Sequence, residues 1–242
     1  MTTAQPEERA GHHWQEPDRV AEYVSRMDRQ EQDRAVIFSL MTELLPGEPG
    51  DGMLILDVGS GYAPVAAACL DARPNATAIA LDISDAMMDV GRERMARFGD
   101  RFSYMVGDFA EGVLPPPAVA AGPFDAVVSA RAIHHLPAEG MKSLYASIHA
   151  SLKPGGAFFN IDSASPAIDF LREKFCSVTS SPGDLPRAAT TRTPELLAHD
   201  AMLHHHDATL VRHIEWLKAA GFTSVDCFWK RLGQAMVGGF KA

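Results

Sequence analysis

Five short apolar segments alternate with helical segments along the middle of the chain, and this alternation limits the fold more than any other feature. The segments are MLILDV, ATAIALDI, FSYMVGDF, FDAVVSA and GAFFNID, and they lie between residues 53 and 162. Strands that alternate with helices in this way pair in parallel, and right-handed crossovers carry the chain from one strand to the next. The sequence therefore predicts an α/β fold with a parallel sheet.

The flanking segments extend this core. Residues 15–45 carry apolar side chains at mostly helical spacing and predict N-terminal cap helices. Residues 50–162 form the predicted core, and residues 163–220 interrupt the pattern with a Ser- and Pro-rich loop and helical pieces, which predicts a helical lid. Residues 221–242 contain two β-rich runs and predict a terminal hairpin. We expect a single domain over residues 1–242, with a seven-stranded, mostly parallel sheet, one antiparallel strand and a helical cap.

Composition and charge narrow the class of ligand. The chain has 242 residues, 46% of them hydrophobic, and a formal net charge of −9, which does not suit a broad grip on nucleic-acid phosphates. A small-molecule substrate is favoured, and the oligomeric state is left open, with a homodimer compatible. Three scattered cysteines do not form a disulfide framework, and no apolar run approaches the roughly 20 residues that span a bilayer. We expect a cytoplasmic protein with no membrane contact.

The first predicted strand ends in the turn ILDVGSGYAP, which belongs to a ligand-binding loop. Gly59 and Gly61 let the backbone approach a ligand closely, because glycine has no Cβ and tolerates positive φ. Pro64 stands where a pyrophosphate-binding turn has its last glycine or alanine and fits better in the first turn of a helix. Asp57 would repel a pyrophosphate but would suit a ligand that carries an ammonium and a sulfonium.

Carboxylates end the next two predicted strands as well. Asp82 could accept hydrogen bonds from both hydroxyls of a ribose, and Asp108 could accept one from an adenine amino group. Together with Asp57 they would suit an adenosine ligand with a positively charged tail. The alternative is structural: Asp57 and Asp82 could cap the following helices, and Asp108 could be an ordinary loop residue.

With these motifs in place, the sequence resembles the class I S-adenosylmethionine-dependent methyltransferases, which have a Rossmann-like fold. The blocks LDVGSGYAP, ALDISDAMM, VGDF, FDAVVSARAIHHLP, SLKPGGAFF and WLKAAGF occur in the family's order. The resemblance implies S-adenosyl-L-methionine as cofactor, with S-adenosyl-L-homocysteine as product. It implies cofactor contacts for Asp57, Gly59, Ser60, Gly61, Asp82, Ile83, Met87, Asp108, Phe109 and Ser129. The sequence departs from the family at Tyr62 and Ala63, where Ala63 replaces the third glycine.

The acceptor side of the site is predicted from residues near the fourth strand and in the cap. His134 and His135 follow that strand and are the candidate catalytic residues, because an imidazole can act as a base near neutral pH. Displacement at a sulfonium depends first on alignment, so the sequence favours a role of this pair in shaping the site. Candidate substrate-binding residues are Trp14, Tyr23, Arg131 and Phe170. The tract AHDAMLHHHDA includes His204, His205 and His206, and we predict no metal site there because adjacent histidines on a helix diverge.

Two other functions are compatible with the sequence. A nicotinamide-dependent oxidoreductase would have a similar winding of strands and helices, although Asp57 and Pro64 oppose it. A non-catalytic module that binds S-adenosylmethionine would share the same cofactor motifs. The predicted function is methyl transfer to a small-molecule acceptor by in-line displacement.

Overall fold

A computed structural model describes residues 12–179 and 208–242 of the chain. Seven strands form one sheet: β1 (Met53–Val58), β2 (Ala76–Asp82), β3 (Phe102–Val106), β4 (Phe124–Ala130), β5 (Leu152–Ser163), β6 (Thr223–Arg231) and β7 (Gln234–Phe240). Their order is β3-β2-β1-β4-β5-β7-β6, and β7 runs antiparallel to both of its neighbours. The predicted Rossmann-like sheet, mostly parallel with one antiparallel strand, is confirmed.

Helices cover both faces of the sheet within the described ranges. They are α1 (Pro17–Arg29), α2 (Glu31–Glu43), α3 (Pro64–Ala72), α4 (Asp85–Met95), α5 (Pro116–Ala121), α6 (Ala138–Ser151), α7 (Asp169–Thr179) and α8 (Leu210–Ala219). Short 3-10 helices lie at His12–Gln15, Ala96–Arg101 and Ile133–His135. No helix in these ranges is long and apolar enough to cross a membrane.

The central strands are apolar along their whole length because side chains on both faces are buried. Ile55 of β1 belongs to the core on one face of the sheet, whereas Leu56 belongs to the core on the other. The same alternation holds in β5, where Phe159 and Phe158 pack on opposite faces. Parallel strands covered by helices on both faces show this continuous apolar pattern. The double covering makes β1 and β4 rigid supports for the loops at their carboxyl ends.

The N-terminal helices pack over the loop that follows β1. Val20, Val24 and Met27 of α1 form a small buried cluster with Tyr62 and Met87. Charged groups fix the arrangement from outside this cluster, because Arg94 of α4 makes two hydrogen bonds of 2.8 Å to the carboxylate of Asp28 in α1. Helix α1 therefore lies against the carboxyl-terminal edge of the first strands.

Part of the predicted lid lies outside the described residues. Within residues 163–220 the structure describes α7 and α8, and residues 180–207 are not described. Helix α8 packs on α6, β6 and β7, and Leu217 is completely buried there. The lid function therefore stays a prediction.

Gly91 allows helix α4 to pack closely against Tyr104 of β3. A glycine inside a helix is normally less stable than alanine by about 0.5–1 kcal/mol. At Gly91, however, an added Cβ would overlap the Tyr104 hydroxyl and lie 3.0 Å from the Tyr62 Cα. We expect Gly91→Ala to lower the free energy of unfolding by about 1–3 kcal/mol in urea denaturation, because of overpacking.

Two comparisons control this measurement. Gly233→Ala should change stability by less than about 0.5 kcal/mol, because a Cβ there meets no atom within 4 Å. In a Tyr104→Phe background the cost of Gly91→Ala should shrink, because the overlapping hydroxyl is gone. A stabilising Gly91→Ala substitution would contradict the packing argument.

Candidate active site

The loop after β1 is held against the end of β2. The backbone N–H groups of Gly59 and Ser60 donate to the Leu81 carbonyl at 2.8 and 3.0 Å. Gly59 and Gly61 adopt φ values of +67° and +55°, which glycine accepts without the steric penalty of a Cβ. These contacts turn the chain sharply between strand and helix.

The same loop leaves no room for a side chain at Gly59. An added Cβ would overlap the side chain of Ala132 and would lie 3.4 Å from the ring of Phe109. Gly59 therefore lets the loop after β1 pack directly against Ala132 and Phe109.

Asp57 is buried at the end of β1. Its Oδ2 accepts a hydrogen bond of 3.0 Å from the Ala66 backbone N–H in the first turn of α3, whereas its Oδ1 is buried without a hydrogen-bond partner. Burial raises the pKa of Asp57 to about 7, and the nearby Asp82 carboxylate adds to the rise. The residue thus anchors α3 and also presents an unsatisfied acceptor.

Asp82 accepts backbone hydrogen bonds at the end of β2. Its carboxylate accepts hydrogen bonds from the backbone N–H groups of Gly61 at 2.6 Å and Ser84 at 2.8 Å. Burial raises the pKa of Asp82, although these backbone donors oppose the rise. The capping role considered from the sequence is present for Asp57, which accepts from the first turn of α3. It is absent for Asp82, because the Ser84 side chain caps α4 and Asp82 holds the loops on either side instead.

These polar groups fit a cationic ligand. The Ser60 hydroxyl is buried without a partner, as is Asp57 Oδ1, and no lysine or arginine in the described ranges forms an ion pair with Asp57 or Asp82. Buried acceptors of this kind are stabilised by a hydrogen-bond donor that carries positive charge. An amino acid ammonium and ribose hydroxyls would satisfy them.

The remaining residues predicted for the cofactor lie around this loop in different settings. The Ile83 carbonyl accepts a hydrogen bond from Gln15 Nε2 at 2.9 Å, and Met87 is buried beside Gly61. Asp108 is exposed and accepts from the Ala110 N–H at 2.7 Å. The buried Ser129 hydroxyl donates to the Val58 carbonyl at 2.8 Å and ties β4 to β1.

Tyr62 turns away from the glycine backbone and joins the N-terminal helices. Its hydroxyl accepts a hydrogen bond from Arg34 at 2.7 Å, and the guanidinium of Arg94 lies 5.0 Å from its ring centroid. Ala63 takes a left-handed conformation with φ of +60° as α3 begins. Tyr62 therefore connects helices α1 and α2 to the glycine loop after β1.

The histidine pair meets a carboxylate that the sequence prediction did not include. His134 Nδ1 lies 2.6 Å from Oδ1 of Asp162, and the His134 backbone N–H donates to Oδ2 of the same carboxylate at 3.0 Å. Burial would raise the pKa of Asp162, but the His134 ring and the Ser163 N–H outweigh it and hold that pKa well below its usual range. His134 and an ionised Asp162 thus form a dyad at the ends of β4 and β5.

Aromatic residues from the N-terminal segment lie beside this dyad. The rings of Trp14 and Tyr23 are 5.1 Å apart, and the Trp14 ring is 6.2 Å from that of His135. Phe170 is on α7, where it is 62% exposed with the Lys174 ammonium 5.5 Å from its ring centroid. Of the predicted substrate-binding residues, Trp14 and Tyr23 come together, and no contact joins Phe170 to them among the described residues.

Arg131 lies between β4 and the histidine pair in a strained conformation. Its φ is +59°, and its backbone N–H donates to the Ile161 carbonyl at 2.9 Å. Its side-chain Nε is buried without a hydrogen-bond partner.

Sequence reasoning missed several polar residues at this end of the sheet. Besides Asp162, a buried network joins the Tyr145 hydroxyl to His213 Nδ1 at 2.8 Å and to Asn160 Nδ2 at 3.2 Å. A signal for Asp162 was available, because it ends a buried strand as Asp57 and Asp82 do. For the pairing of Tyr145 with His213, 68 residues apart, the sequence offers no local signal.

The histidine tract cannot be placed. His204, His205 and His206 lie outside the described residues. Within the described ranges, no group of three or more His, Cys, Asp or Glu side chains could hold a metal ion.

Comparison with known proteins identifies the central segment. Residues 55–156 match the family described as a methyltransferase domain, and they include the glycine loop, Asp82 and the histidine pair. Residues 55–156 are therefore a methyltransferase domain. The predicted family is confirmed for this segment.

Two curated relatives resemble part of the chain. The ubiquinone/menaquinone biosynthesis C-methyltransferase UbiE of Methylobacterium nodulans is 36% identical over 109 residues, which are 45% of this chain and 41% of the relative. The demethylmenaquinone methyltransferase of Symbiobacterium thermophilum is 30% identical over 129 residues, 52% of this chain and 48% of the relative. The chain thus aligns with less than half the length of either one.

Solved methyltransferase structures share the fold over nearly the whole chain. An O-methyltransferase family protein from Burkholderia thailandensis superposes with a TM-score of 0.67 at 17% sequence identity. The superposition covers 98% of this chain and 63% of the Burkholderia chain. Human N-acetylserotonin methyltransferase in complex with S-adenosylmethionine superposes with a TM-score of 0.63 at 17% sequence identity, over 98% of this chain and 60% of the human chain. These structures therefore share the fold of nearly the whole chain, beyond the matched residues 55–156.

The raised pKa of Asp57 predicts a pH-dependent stability. It is about 7 in the folded protein, whereas an aspartate in an unfolded chain has a pKa of about 3.9. The folded state therefore binds the proton more tightly, and stability should fall as pH rises from about 4 to about 7. Asp57→Asn removes this loss and should be more stable than wild type by a few kcal/mol above pH 7.

Urea denaturation at pH 5, 6, 7 and 8 measures this difference. Asp100→Asn is a matched control, because Asp100 is exposed, and it should follow the wild-type curve. Parallel curves for wild type and Asp57→Asn would show that Asp57 stays ionised throughout.

Proposed function

We propose that this protein transfers a methyl group from S-adenosylmethionine to a small-molecule acceptor by in-line displacement, with His134 as the base for an acceptor hydroxyl. One observation carries the proposal: the dyad of His134 and buried Asp162, 2.6 Å apart, stands at the end of β4 beside the β1 loop. A hydroxyl is the acceptor that needs such a base, because its proton must leave.

The cofactor loop supplies the binding groups for this reaction. When bound, S-adenosylmethionine provides a methyl group on a sulfonium, so that much of the catalysis is alignment of donor and acceptor. We assign Asp57 and Ser60 to the methionine portion, because both present buried unsatisfied oxygens. Asp82 is assigned to the ribose, and Phe109, which packs on Gly59, to the adenine.

Asp162 orients His134 for proton transfer. Because His134 Nδ1 faces Asp162, its Nδ1–H donates to the carboxylate, and the lone pair is on Nε2. The acceptor proton passes to Nε2, and the Asp162 charge stabilises the imidazolium that forms. From sequence alone a role in shaping the site was favoured, and this contact is the reason to prefer a base.

The relatives bear on the kind of acceptor. UbiE is named as a C-methyltransferase of quinone biosynthesis, whereas the Burkholderia thailandensis structure is named as an O-methyltransferase family protein. Removal of a phenolic proton activates both the oxygen and the neighbouring ring carbons, so one base serves either outcome. We infer a phenolic small molecule. The acidic chain, with a net charge of −9, supports this over nucleic acid, and the free Cys69 suits the cytoplasm.

Cofactor binding is the first test. In calorimetry the protein should bind S-adenosylhomocysteine and show no binding of NAD⁺. Asp82→Asn should weaken S-adenosylhomocysteine at least about 10-fold, because an amide replaces a charged acceptor of the ribose hydroxyls. Preferential binding of NAD⁺ would point to an oxidoreductase instead.

The dyad is tested by turnover once a phenolic acceptor has been found by release of S-adenosylhomocysteine. His134→Gln should reduce the single-turnover rate by about 100-fold or more while S-adenosylhomocysteine affinity is retained. Asp162→Asn should slow the reaction too, because the imidazolium loses its counterion. His149→Gln is the control, since His149 packs on Phe222, 4.9 Å away. A wild-type rate in His134→Gln would exclude the base.

A further inference from the structure

Arg131 is held in place at a backbone position that arginine rarely occupies. It directly follows β4, has φ of +59°, and is fixed by the hydrogen bond to the Ile161 carbonyl on β5. Side chains other than glycine are strained in this region, and such strain concentrates at functional sites. Glycine would meet the same backbone requirement without strain, so the arginine side chain calls for an explanation.

A second arginine, Arg26 of the N-terminal cap, lies 5.4 Å from the ring centroid of Tyr23. Arg26 of α1 is partly buried, and burial followed by the charge of Arg131 lowers its pKa. The charges of Glu22 and Tyr23 raise the pKa of Arg26, but less strongly than the charge of Arg131 lowers it. The repulsion between the two guanidinium groups is thus the largest charge interaction of Arg26.

No carboxylate within the described residues is paired with either arginine, and Glu22 offsets the charge of Arg131 on Arg26 only in part. Neither arginine forms an ion pair there, and Nε of Arg131 is buried without a hydrogen-bond partner. Like charges that are partly removed from water destabilise the protein unless an anion lies between them. Guanidinium groups bind carboxylates through paired hydrogen bonds.

The surroundings indicate what carries the anion. Arg26 lies 5.4 Å from the Tyr23 ring centroid, and Tyr23 contacts Trp14, whose ring is next to His135. The Trp14 carbonyl accepts a hydrogen bond of 2.6 Å from Ser84, which fixes this segment to the cofactor side of the sheet. The arginine pair, the aromatic rings and the dyad are therefore contiguous.

We propose that Arg26 and Arg131 bind the carboxylate of an aromatic hydroxy acid, whose ring packs on Trp14 and Tyr23 and whose hydroxyl faces His134. This assignment rests on the proposed function and adds the acceptor's charge to it. The acidic chain as a whole does not attract anions, so the local pair has to provide the recognition.

The probes are the three monohydroxybenzoates and their amides, titrated into the full-length protein saturated with S-adenosylhomocysteine. At least one acid should bind about 10-fold or more tightly than its amide. Arg26→Gln and Arg131→Gly should each remove most of that preference. Arg29→Gln is the matched control on α1, where Arg29 donates a hydrogen bond of 2.8 Å to the Ser25 hydroxyl, and it should keep the preference.

Arg131→Gly also separates binding from folding. Glycine accepts the left-handed backbone, so Arg131→Gly should unfold at the same temperature as wild type or at a higher one. The same variant should no longer prefer the hydroxybenzoate over its amide. Equal binding of acid and amide by wild type, no binding of any acid, or an undiminished preference in Arg131→Gly would each overturn the subsite. Failure to bind S-adenosylhomocysteine would instead overturn the proposed function, so the two failures are distinguishable.

Discussion

Burial of the Asp57 carboxylate at the end of β1 is the constraint on which the rest of the site depends. One oxygen of Asp57 accepts the Ala66 N–H and so fixes the start of α3, while the other stays unsatisfied. Asp82 meets the same loop from β2 through the Gly61 N–H. The Asp82 carboxylate adds to the rise in the pKa of Asp57 that burial causes. Folding therefore stores an electrostatic cost, which a cationic ligand would relieve under the proposed function.

The N-terminal helices pack over this loop. Tyr62, at the position where the family resemblance breaks, is held by Arg34 of α2 and lies under Arg94 of α4. The same Arg94 forms the ion pair with Asp28 of α1. That pair is about half exposed, so it orients the helices more than it stabilises them. The buried contacts of Val24 and Met27 with Tyr62 supply the stabilisation, and they couple the position of Trp14 to the shape of the glycine loop.

The sequence predicted the parts of the structure that depend on neighbouring residues. The parallel strands, the glycine turn and the position of Asp82 follow from spacing within about 30 residues, because β-α-β units fold locally. The Asp162 partner of His134 was missed although Asp162 ends a buried strand, because its contact with His134 also depends on the conformation of the loop after β4. Arg26 was missed for a different reason: its position beside Tyr23 and Trp14 depends on how a separate helix docks, and helical periodicity alone does not fix that orientation.

The charges of the site are separated in a way that suits the proposed chemistry. Two carboxylates, Asp57 and Asp82, lie at the ends of β1 and β2, and two guanidinium groups, Arg26 and Arg131, lie on the cap and after β4. Under the proposed function the first pair faces a cationic donor, and the second pair faces an anionic acceptor. Once His134 has taken the acceptor proton, the methyl group passes from a cation to an anion, so charge disappears along the reaction. A buried setting favours the less charged state, and helices α1 and α2 over the loop would thus assist the transfer as well as hold the acceptor in line.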